Sequence, residues 1–589
     1  MEYSYQGVWT NWSNGPALGL TVTTTKAYGN LIIASMTIFV AFVANRLWNI
    51  ICIALHRVYS TTEPRDTLHH QRQVILRNAS SPGSGLSAFF CLLLAWRGTT
   101  IRRHLRLWPM IILASACLLG FMLSGSIFSA ISIVSGNDVL RRCLGSGNGT
   151  QMETYSYEYL PDKVGDLPEL VHDASVYAHC CYNNTDSPCY MSCTSFFARH
   201  LPTNETVNRA ECPFQGQICS STNANLRLDT GYIDSNDHIG LNAPADERFA
   251  WRYVLHCAPL KTKNYTSHNF QPIAELDRVD GDIIIVFLSG NGVLFREALD
   301  DDWYQATVPV NSDDSKDGSE SALKYRPLNA ASPMGCVQQM QWCNSAFPRD
   351  RGCGPLSGTY DAFLGAAPLF NLTSDEVDAA NSSRPISSKA SSARLIWPAL
   401  AVLSSPASSL DLVIANLGSR SLISQLLITN GVQWPIPIDQ WQDDVKHWWE
   451  TALASVQATF AKMTMTSFSA PLTNEEVKMC QSQKEKSTTY TSFSVLGLSL
   501  IILFGVVTII ISYILEPVFQ WLSKKRNFRQ HTHLEWVTNG ALQLHRLAHD
   551  EEHSQSSWVR CDEEIPINNA ENLLPSLDIS DPEHPILAK

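Results

Sequence analysis

Two long apolar runs without a charged residue constrain this chain more than any other feature. They cover residues 110–134 and 491–515, and about 20 apolar residues suffice for a helix to cross a bilayer. Residues 31–55 form a third apolar run, which contains Arg46 past its middle. We interpret Arg46 as reaching the lipid headgroups, and a buried functional arginine is the alternative. The sequence therefore predicts three transmembrane helices, with the lipid bilayer as their partner.

The charges beside these runs predict the orientation. Residues 56–109 contain eight arginines and two acidic residues, and a basic segment at 523–529 follows the last run. Loops rich in Lys and Arg stay on the cytoplasmic side of a membrane. We therefore expect residues 56–109 and the tail at 516–589 to be cytoplasmic, and residues 1–30 and 135–490 to lie outside the cytosol.

Cysteines and glycosylation sequons concentrate in the segment 135–490. Twelve of the sixteen cysteines lie there, and an even number in an oxidising compartment favours disulfides. A zinc site at the cysteine clusters is the alternative. The disulfide candidates are Cys143, Cys180, Cys181, Cys189, Cys193, Cys212, Cys219, Cys257, Cys336, Cys343, Cys353 and Cys480. The predicted N-glycosylation sites are Asn11, Asn148, Asn183, Asn204, Asn264, Asn371 and Asn381.

Local patterns predict an α+β membrane protein, in which three transmembrane helices carry a large, disulfide-bonded, mixed α/β extracytoplasmic domain. Aromatic and β-branched runs over 248–310 indicate strands. The periodicity of 439–463 predicts an amphipathic helix whose aromatic stripe faces the core. The cysteines of residues 335–355 are expected to fasten a compact turn.

The cytoplasmic segments are predicted to contain two short helices. Residues 86–96 are too short to span, so we expect an interfacial helix on anionic lipid, with a re-entrant hairpin as the alternative. The tail is expected to be disordered apart from an amphipathic helix at 533–549, and it could dock a protein partner.

Three segments resemble a large group of uncharacterised integral membrane proteins of filamentous ascomycete fungi. They are MGCVQQMQWCN (334–344), the helical segment 439–460 and the tail segment 533–558. The resemblance implies few spans and a large outside domain with disulfides. Some members lie beside secondary-metabolite genes, which would imply an accessory role in such a pathway.

Composition and motifs limit the classes of function. The net charge of −12 argues against a nucleic-acid partner. The sequence shows no catalytic motif, cofactor fingerprint or complete zinc-helix motif. The carboxylates of Asp280, Asp282 and Asp361 could still meet in a cleft, and His545 and His549 have the spacing of a metal pair. Acidic runs at 300–302 and 313–317 are expected to be hydrated loops, with calcium as the alternative.

Two hypotheses remain on the sequence alone. The first is a non-enzymatic protein of the plasma membrane or a secretory-pathway membrane, which binds or scaffolds a partner through its outside domain. The second is an accessory protein or membrane-bound enzyme of a secondary-metabolite pathway. Transport has less support, because paired intramembrane charges are missing from the sequence. Convergent carboxylates or histidines in a pocket of the outside domain would favour the enzyme.

Overall fold

The chain divides into two compact units. The computed structural model describes residues 4–96, 106–132, 138–141, 167–182, 193–245, 248–261, 274–310, 323–372, 410–465, 481–526, 529–550, 558–568 and short pieces after 573. One unit, here called the disulfide unit, consists of Met1–Thr23 and Asn137–Thr491. The other, the helical unit, consists of Thr24–Gly136 and Ser492–Lys589.

Helices occur in both units. They are α1 (Lys26–Tyr59), α2 (Thr67–Asn78), α3 (Pro82–Ala95), α4 (Trp108–Ser132), α5 (Leu167–Cys181), α6 (Arg349–Gly352), α7 (Thr359–Ala366), α8 (Leu410–Leu417), α9 (Gln440–Met465), α10 (Val495–Arg526), α11 (Gln530–Thr538) and α12 (Ala541–Asp550).

The strands are mostly short. They are β1 (Gly7–Thr10), β2 (Leu20–Thr25), β3 (Asp138–Leu140), β4 (Glu205–Ala210), β5 (Asn225–Asp229), β6 (Ile233–Asp234), β7 (Phe249–Pro259), β8 (Asp282–Leu288), β9 (Leu294–Phe295), β10 (Val308–Val310), β11 (Lys324–Arg326), β12 (Ser332–Asn344), β13 (Ile428–Thr429), β14 (Val432–Gln433), β15 (Lys484–Lys486), β16 (Tyr490–Ser494), β17 (Leu577–Asp578) and β18 (Ile586–Leu587). The mixed α/β class is therefore confirmed.

An antiparallel sheet forms the centre of the disulfide unit. Its strand order is β4-β5-β7-β12-β8, and β6 adds to β7 beside β5. Alternate residues of β7 point to one face, where Trp251 and Tyr253 are fully buried. Trp342 of β12 lies directly opposite Trp251 in the register. This aromatic face is the core of the unit.

Helix α9 covers that face of the sheet. Its predicted stripe is almost completely buried, and Trp449 stacks on Tyr253 with 4.6 Å between ring centroids. Trp448 meets Trp303 edge-on. The interpretation of the stripe as core is confirmed. The stripe consists of Trp441, Val445, Trp448, Ala452, Val456 and Phe460.

Four disulfides join pairs of described residues in the disulfide unit. They join Cys181 to Cys193, Cys212 to Cys219, Cys257 to Cys336, and Cys343 to Cys353. Cys180 is also disulfide-bonded, whereas Cys143, Cys189 and Cys480 lie outside the described residues. The prediction that the chain contains disulfides is confirmed.

The expectation of a compact turn around Cys336 and Cys343 is wrong. Both belong to β12, the 13-residue strand that lies between β7 and β8. Cys336 is bonded to its cross-strand partner Cys257, and the Cys343–Cys353 bond closes the chain that leaves the strand. Both faces of a central strand are covered, so its sequence lacks the alternation of apolar and polar residues that would have identified it as a strand.

Two apolar helices dominate the helical unit. Among the residues that the structure describes, α1 and α10 are long and apolar enough to cross a membrane. α1 extends past both ends of the predicted run at 31–55. α10 begins inside the predicted run at 491–515 and extends beyond its C-terminal end. Most of the apolar run at 110–134 belongs to α4, whose crossing of the membrane stays a prediction. The guanidinium of Arg46 lies over the rings of Phe42 and Tyr513, so its cation has aromatic neighbours within this unit.

Helix α3 starts four residues before the predicted segment 86–96. Ser81 and Ser84 form a capping box, and Pro82 occupies the first helical turn, where its missing N–H is tolerated. The helix buries Phe89, while Gly85 lies against the indole of Trp48 in α1. Its position at a membrane surface stays a prediction.

The C-terminal tail differs from expectation. In place of one helix over 533–549, α11 and α12 are separated at Asn539-Gly540, where the Gly540 N–H donates to the Val537 carbonyl and closes a turn. The tail also contains the strand pair β17–β18 and a bridge between Val559 and Ile567. The expectation of disorder outside one helix is wrong for these residues.

Candidate functional site

The disulfide unit contains a pocket of about 90 Å³. Five chain segments that are far apart in sequence line it. They contribute Arg141, residues 194–197, His238 and Ile239, Gln457 and Ala461 of α9, and residues 483–486. A volume of this size has room for a few waters or a small molecular ion, since one water needs about 10–15 Å³ measured in the same way.

Two paired strands present the basic wall of the pocket. β15 is antiparallel to β3, with Lys484 opposite Leu140 and Lys486 opposite Asp138. Side chains two residues apart in a strand share one face. Lys484 and Lys486 accordingly both lie over the ring of Phe197, at 4.9 and 5.8 Å from its centroid. An aromatic face attracts cations, so this ring stabilises the two ammonium groups together.

Lys484 is the most unusual group of the pocket. It is only 2% exposed, and its Nζ donates to Ser13 Oγ at 2.8 Å. It makes no ion pair within 4 Å among the residues that the structure describes. Burial lowers the pKa of Lys484, and the more distant carboxylates of Asp138, Asp237 and Asp234 oppose that effect. A buried cation without a carboxylate in contact is costly unless an anion accompanies it.

A second cation, Arg141, is held beside the pocket's single carboxylate. Its Nε lies 3.8 Å from Oε2 of Glu485, and Ser4 Oγ donates to the other oxygen of that carboxylate. The side chain of Arg141 is 11% exposed. Glu485 is therefore already engaged, and the lining contains the basic side chains of Arg141, Lys484 and Lys486 against this one carboxylate.

His238 completes the polar lining with a defined tautomer. Its Nδ1 accepts a hydrogen bond from the Asp234 N–H at 2.9 Å. The proton of the neutral ring is therefore on Nε2, which makes that nitrogen a donor. The arrangement can bind a small oxyanion through ammonium, guanidinium and imidazole donors.

Gly240 allows the wall of the pocket to close. It ends the short helical turn before it with φ of +87°, a backbone conformation that favours glycine. A Cβ at this position would lie 2.6 Å from Cγ of Phe197. Glycine is thus required both for the turn and for the approach of the ring that carries the two lysines.

The three carboxylates that could have met in a cleft have other surroundings. Asp280 makes an ion pair with Arg278, and Asp282 accepts the N–H of Thr359 at the start of α7. Asp361 is exposed in the first turn of that helix. None of them lines the pocket described above.

A serine and a histidine do meet between α5 and α9. Ser175 Oγ lies 3.0 Å from Nε2 of His447, and both side chains are buried. Burial lowers the pKa of His447 to about 4, which keeps the ring neutral. Nucleophilic catalysis requires a base that a third group orients, but Nδ1 of His447 has no hydrogen-bond partner among the described residues. The pair is best explained as core packing.

The other predicted ligand positions are accounted for individually. Within the described part of the chain, no group of three or more His, Cys, Asp or Glu could hold a metal ion. His545 and His549 contact each other, with 3.2 Å between their Nε2 atoms. Asp301 was expected in a hydrated loop, but it is 1% exposed and accepts the N–H groups of Trp303 and Tyr304. The acidic run at 313–317 lies outside the described residues.

The described sequons differ in accessibility. Asn204 and Asn371 are exposed. Asn11 is only 3% exposed, and its side chain accepts the N–H of Ser13. This burial leaves little of the Asn11 surface for a glycan, and glycosylation at this position stays a prediction. The remaining four sequons, at Asn148, Asn183, Asn264 and Asn381, lie outside the described residues.

The sequence analysis missed every residue of the pocket. The one local signal is the Lys-Glu-Lys triplet at 484–486, whose alternation could have indicated a strand with a basic face. Its other walls come from segments separated by tens to hundreds of residues, which only the tertiary structure brings together. Comparisons with protein-family models, with curated proteins and with solved structures found no match.

Proposed function

We propose that this protein is a multi-pass membrane glycoprotein whose disulfide unit lies outside the cytosol and binds a small oxyanion without transforming it. Helices α1, α4 and α10 cross the plasma membrane or a secretory-pathway membrane. The resemblance to fungal membrane proteins is part of this proposal.

The distribution of cysteines supports the placement of the two units. The described disulfides all lie in the disulfide unit. The free cysteines among the described residues, Cys52, Cys91, Cys117 and Cys561, all lie in the helical unit. Disulfides persist in oxidising compartments and thiols in the cytosol, so this separation is what opposite sides of a membrane would produce.

The observation that carries the binding proposal is the buried ammonium of Lys484. One small pocket is lined by Lys484, Lys486 and Arg141. An oxyanion bound there would supply the negative counter-charge that the buried Lys484 lacks at contact distance. Cations and hydrogen-bond donors at this density are typical of phosphate, sulfate and carboxylate recognition. Because the lining contains one carboxylate that is already engaged, an acid–base pair for catalysis has less support than binding.

The binding proposal is tested on the intact protein in detergent. Inorganic phosphate, sulfate and acetate are titrated by calorimetry, and the shift in melting temperature is measured in parallel. We expect at least one of them to bind and to stabilise the protein. Lys484→Met keeps the length of the side chain and removes its charge, so it should abolish this binding. Lys446→Met is the matched control, because Lys446 pairs with Asp443 on α9 away from the pocket.

Two results would overturn the binding proposal. One is that none of the three anions binds to the wild-type protein. The other is that Lys484→Met binds the anion as well as Lys446→Met does. A melting temperature of the anion-free variants within a few degrees of wild type shows that a loss of binding is not a loss of folding.

A further inference from the structure

A second, larger cavity lies within the helical unit. It has a volume of about 300 Å³ and is lined by residues of α1, α2, α10 and α11 together with residues 562–564. Among the described residues, α1 and α10 are the helices that are long and apolar enough to cross a membrane. The cavity contacts α1 at Ile53, near the end of its predicted span, and at Arg57 beyond it, and it contacts α10 beyond its predicted span, at Glu516–Gln520.

Arg57 is the cation of this cavity that lacks a counter-charge. Its guanidinium carbon lies 3.6 Å from the centroid of the Phe519 ring. Within the described part of the chain, no carboxylate lies within 4 Å of it. The ring holds the guanidinium in place and leaves its hydrogen-bond donors for another acceptor.

Arg77, by contrast, has two counter-charges. It forms ion pairs with Glu516 at 3.1 Å and with Glu564 at 2.8 Å, and it lies over the ring of Trp536. The indole N–H of Trp536 donates to the same Glu516 carboxylate at 2.7 Å. These contacts fix the wall of the cavity and neutralise Glu516.

Three consecutive acidic residues also line the cavity. Asp562, Glu563 and Glu564 each form an ion pair, with Lys524, Arg560 and Arg77 respectively, and each carboxylate is still at least 42% exposed, which leaves oxygen lone pairs for a further donor. A purely anionic ligand would be repelled by these carboxylates, and a purely cationic one by Arg57. A ligand that carries a phosphate and an amine a few ångströms apart satisfies both sides.

We propose that this cavity binds the zwitterionic headgroup of a phospholipid, with its phosphate on Arg57 and its ammonium group on the carboxylates at 562–564. Phosphate accepts the guanidinium donors in bidentate geometry, and carboxylates accept the ammonium. The lipid source rests on the proposed crossing of the membrane by α1 and α10, which places the cavity where a headgroup would lie. The site is separate from the anion pocket of the disulfide unit.

The test uses the full-length protein in detergent after removal of bound lipid. Phosphatidylethanolamine, phosphatidylglycerol, water-soluble O-phosphoethanolamine and inorganic phosphate are added in turn, and the bound molecule is counted by native mass spectrometry. We expect phosphatidylethanolamine to bind more tightly than phosphatidylglycerol. Arg57→Met should weaken its binding by about tenfold or more, as expected for the loss of a charged hydrogen bond.

Two further variants make the result interpretable. Arg65→Met is the matched control, because Arg65 is half exposed and pairs with Glu63, so binding should stay as in wild type. Arg57→Lys keeps the charge without the planar fork, so it should fall between wild type and Arg57→Met. It also serves as the charge-preserving variant if Arg57→Met does not fold.

Three outcomes would overturn the proposal. Equal binding of phosphatidylethanolamine and phosphatidylglycerol would contradict a zwitterionic site. Binding of O-phosphoethanolamine or phosphate without binding of the lipid would contradict a lipid as the source. Unchanged lipid binding in both Arg57 variants would contradict the site itself. Anion binding to the disulfide unit is measured separately, so either proposal can fail alone.

Discussion

The two units of this protein direct their large apolar side chains in opposite ways. In the disulfide unit, Trp251 and Trp342 are completely buried between the sheet and α9. In the helical unit, Ile38 of α1 and Phe504 of α10 are 72% and 70% exposed. Burial of apolar area stabilises a domain in water, whereas apolar groups on the outside of a helix suit a lipid solvent. The difference indicates that the two units fold against different surroundings.

Truncation of the aromatic core should have the largest effect. Trp342 contacts Trp251, Phe249 and Phe363 at ring distance. Trp342→Ala leaves a cavity in the disulfide unit, and such changes cost about 3–5 kcal/mol. The melting temperature of the solubilised protein, followed by near-UV circular dichroism, measures the loss.

The control for this variant is Trp434→Ala, in which a tryptophan of the same unit that is 47% exposed is removed. We expect it to cost well under half as much. Equal losses for the two variants would contradict the assignment of the core to the space between the sheet and α9.

Gly240→Ala should have an intermediate effect. Alanine at φ of +87° is strained, and its Cβ would collide with Phe197 at 2.6 Å. Gly292→Ala is the matched control, because Gly292 has φ of +81° and nothing within 4 Å of an added Cβ. Backbone strain alone costs about 1 kcal/mol, so the difference between the variants isolates the collision.

The same two variants also test whether the collision at Gly240 affects anion binding in the pocket. Gly240→Ala should weaken anion binding, because it displaces the Phe197 ring over which the ammonium groups of Lys484 and Lys486 lie. Gly292→Ala should leave anion binding unchanged. Comparable stability and comparable binding in the two variants would show that Phe197 is free to move.

A dependence of stability on pH should also come from the disulfide unit. Burial raises the pKa of Asp301 to about 7 and the pKa of Asp444 to about 6. Unfolded carboxyls of this type titrate near about 3.9. The folded state therefore retains these protons more tightly, and this contribution to stability is lost as the pH rises from about 4 to 7.

Asp301→Asn tests that contribution. The amide oxygen can still accept the N–H bonds of Trp303 and Tyr304, but it does not titrate. The fall in melting temperature between pH 5 and pH 8 should be smaller than in wild type, while Asp361→Asn should leave it unchanged. An unchanged fall in Asp301→Asn would show that other groups cause it.

Elements with a strong period or composition could be predicted from the sequence, and assembled features could not. The apolar run over 31–55 and the aromatic stripe of α9 are local patterns, and both lie in the expected helices. The sequence of β12 predicts a turn wrongly for two reasons. Most residues on both faces of the strand are buried, so the apolar–polar alternation of a strand is missing, and its closely spaced cysteines are typical of a compact turn. The apolar residues over 533–549 have helical periodicity throughout, but the turn-forming pair Asn539-Gly540 lies within this stretch and follows the end of α11.

The pocket of the disulfide unit could not be predicted from local sequence patterns, for a different reason. Its lysines are unremarkable in a polar segment, and their burial follows from the pairing of β15 with β3, which are separated by more than three hundred residues. Ser13, which receives the Lys484 hydrogen bond, comes from the N-terminal segment. No pattern within a window of the sequence contains both partners.

Cytosol-side-out microsomes from the native host test the placement of the two units most directly. An impermeant maleimide and a glycosidase are added to the sealed vesicles, and the peptides containing Cys561 and Asn204 are analysed. The account predicts that Cys561 is alkylated at once, and that a glycan on Asn204 is removed only after the membrane is opened. Modification of both residues from the same side of the sealed membrane would contradict it.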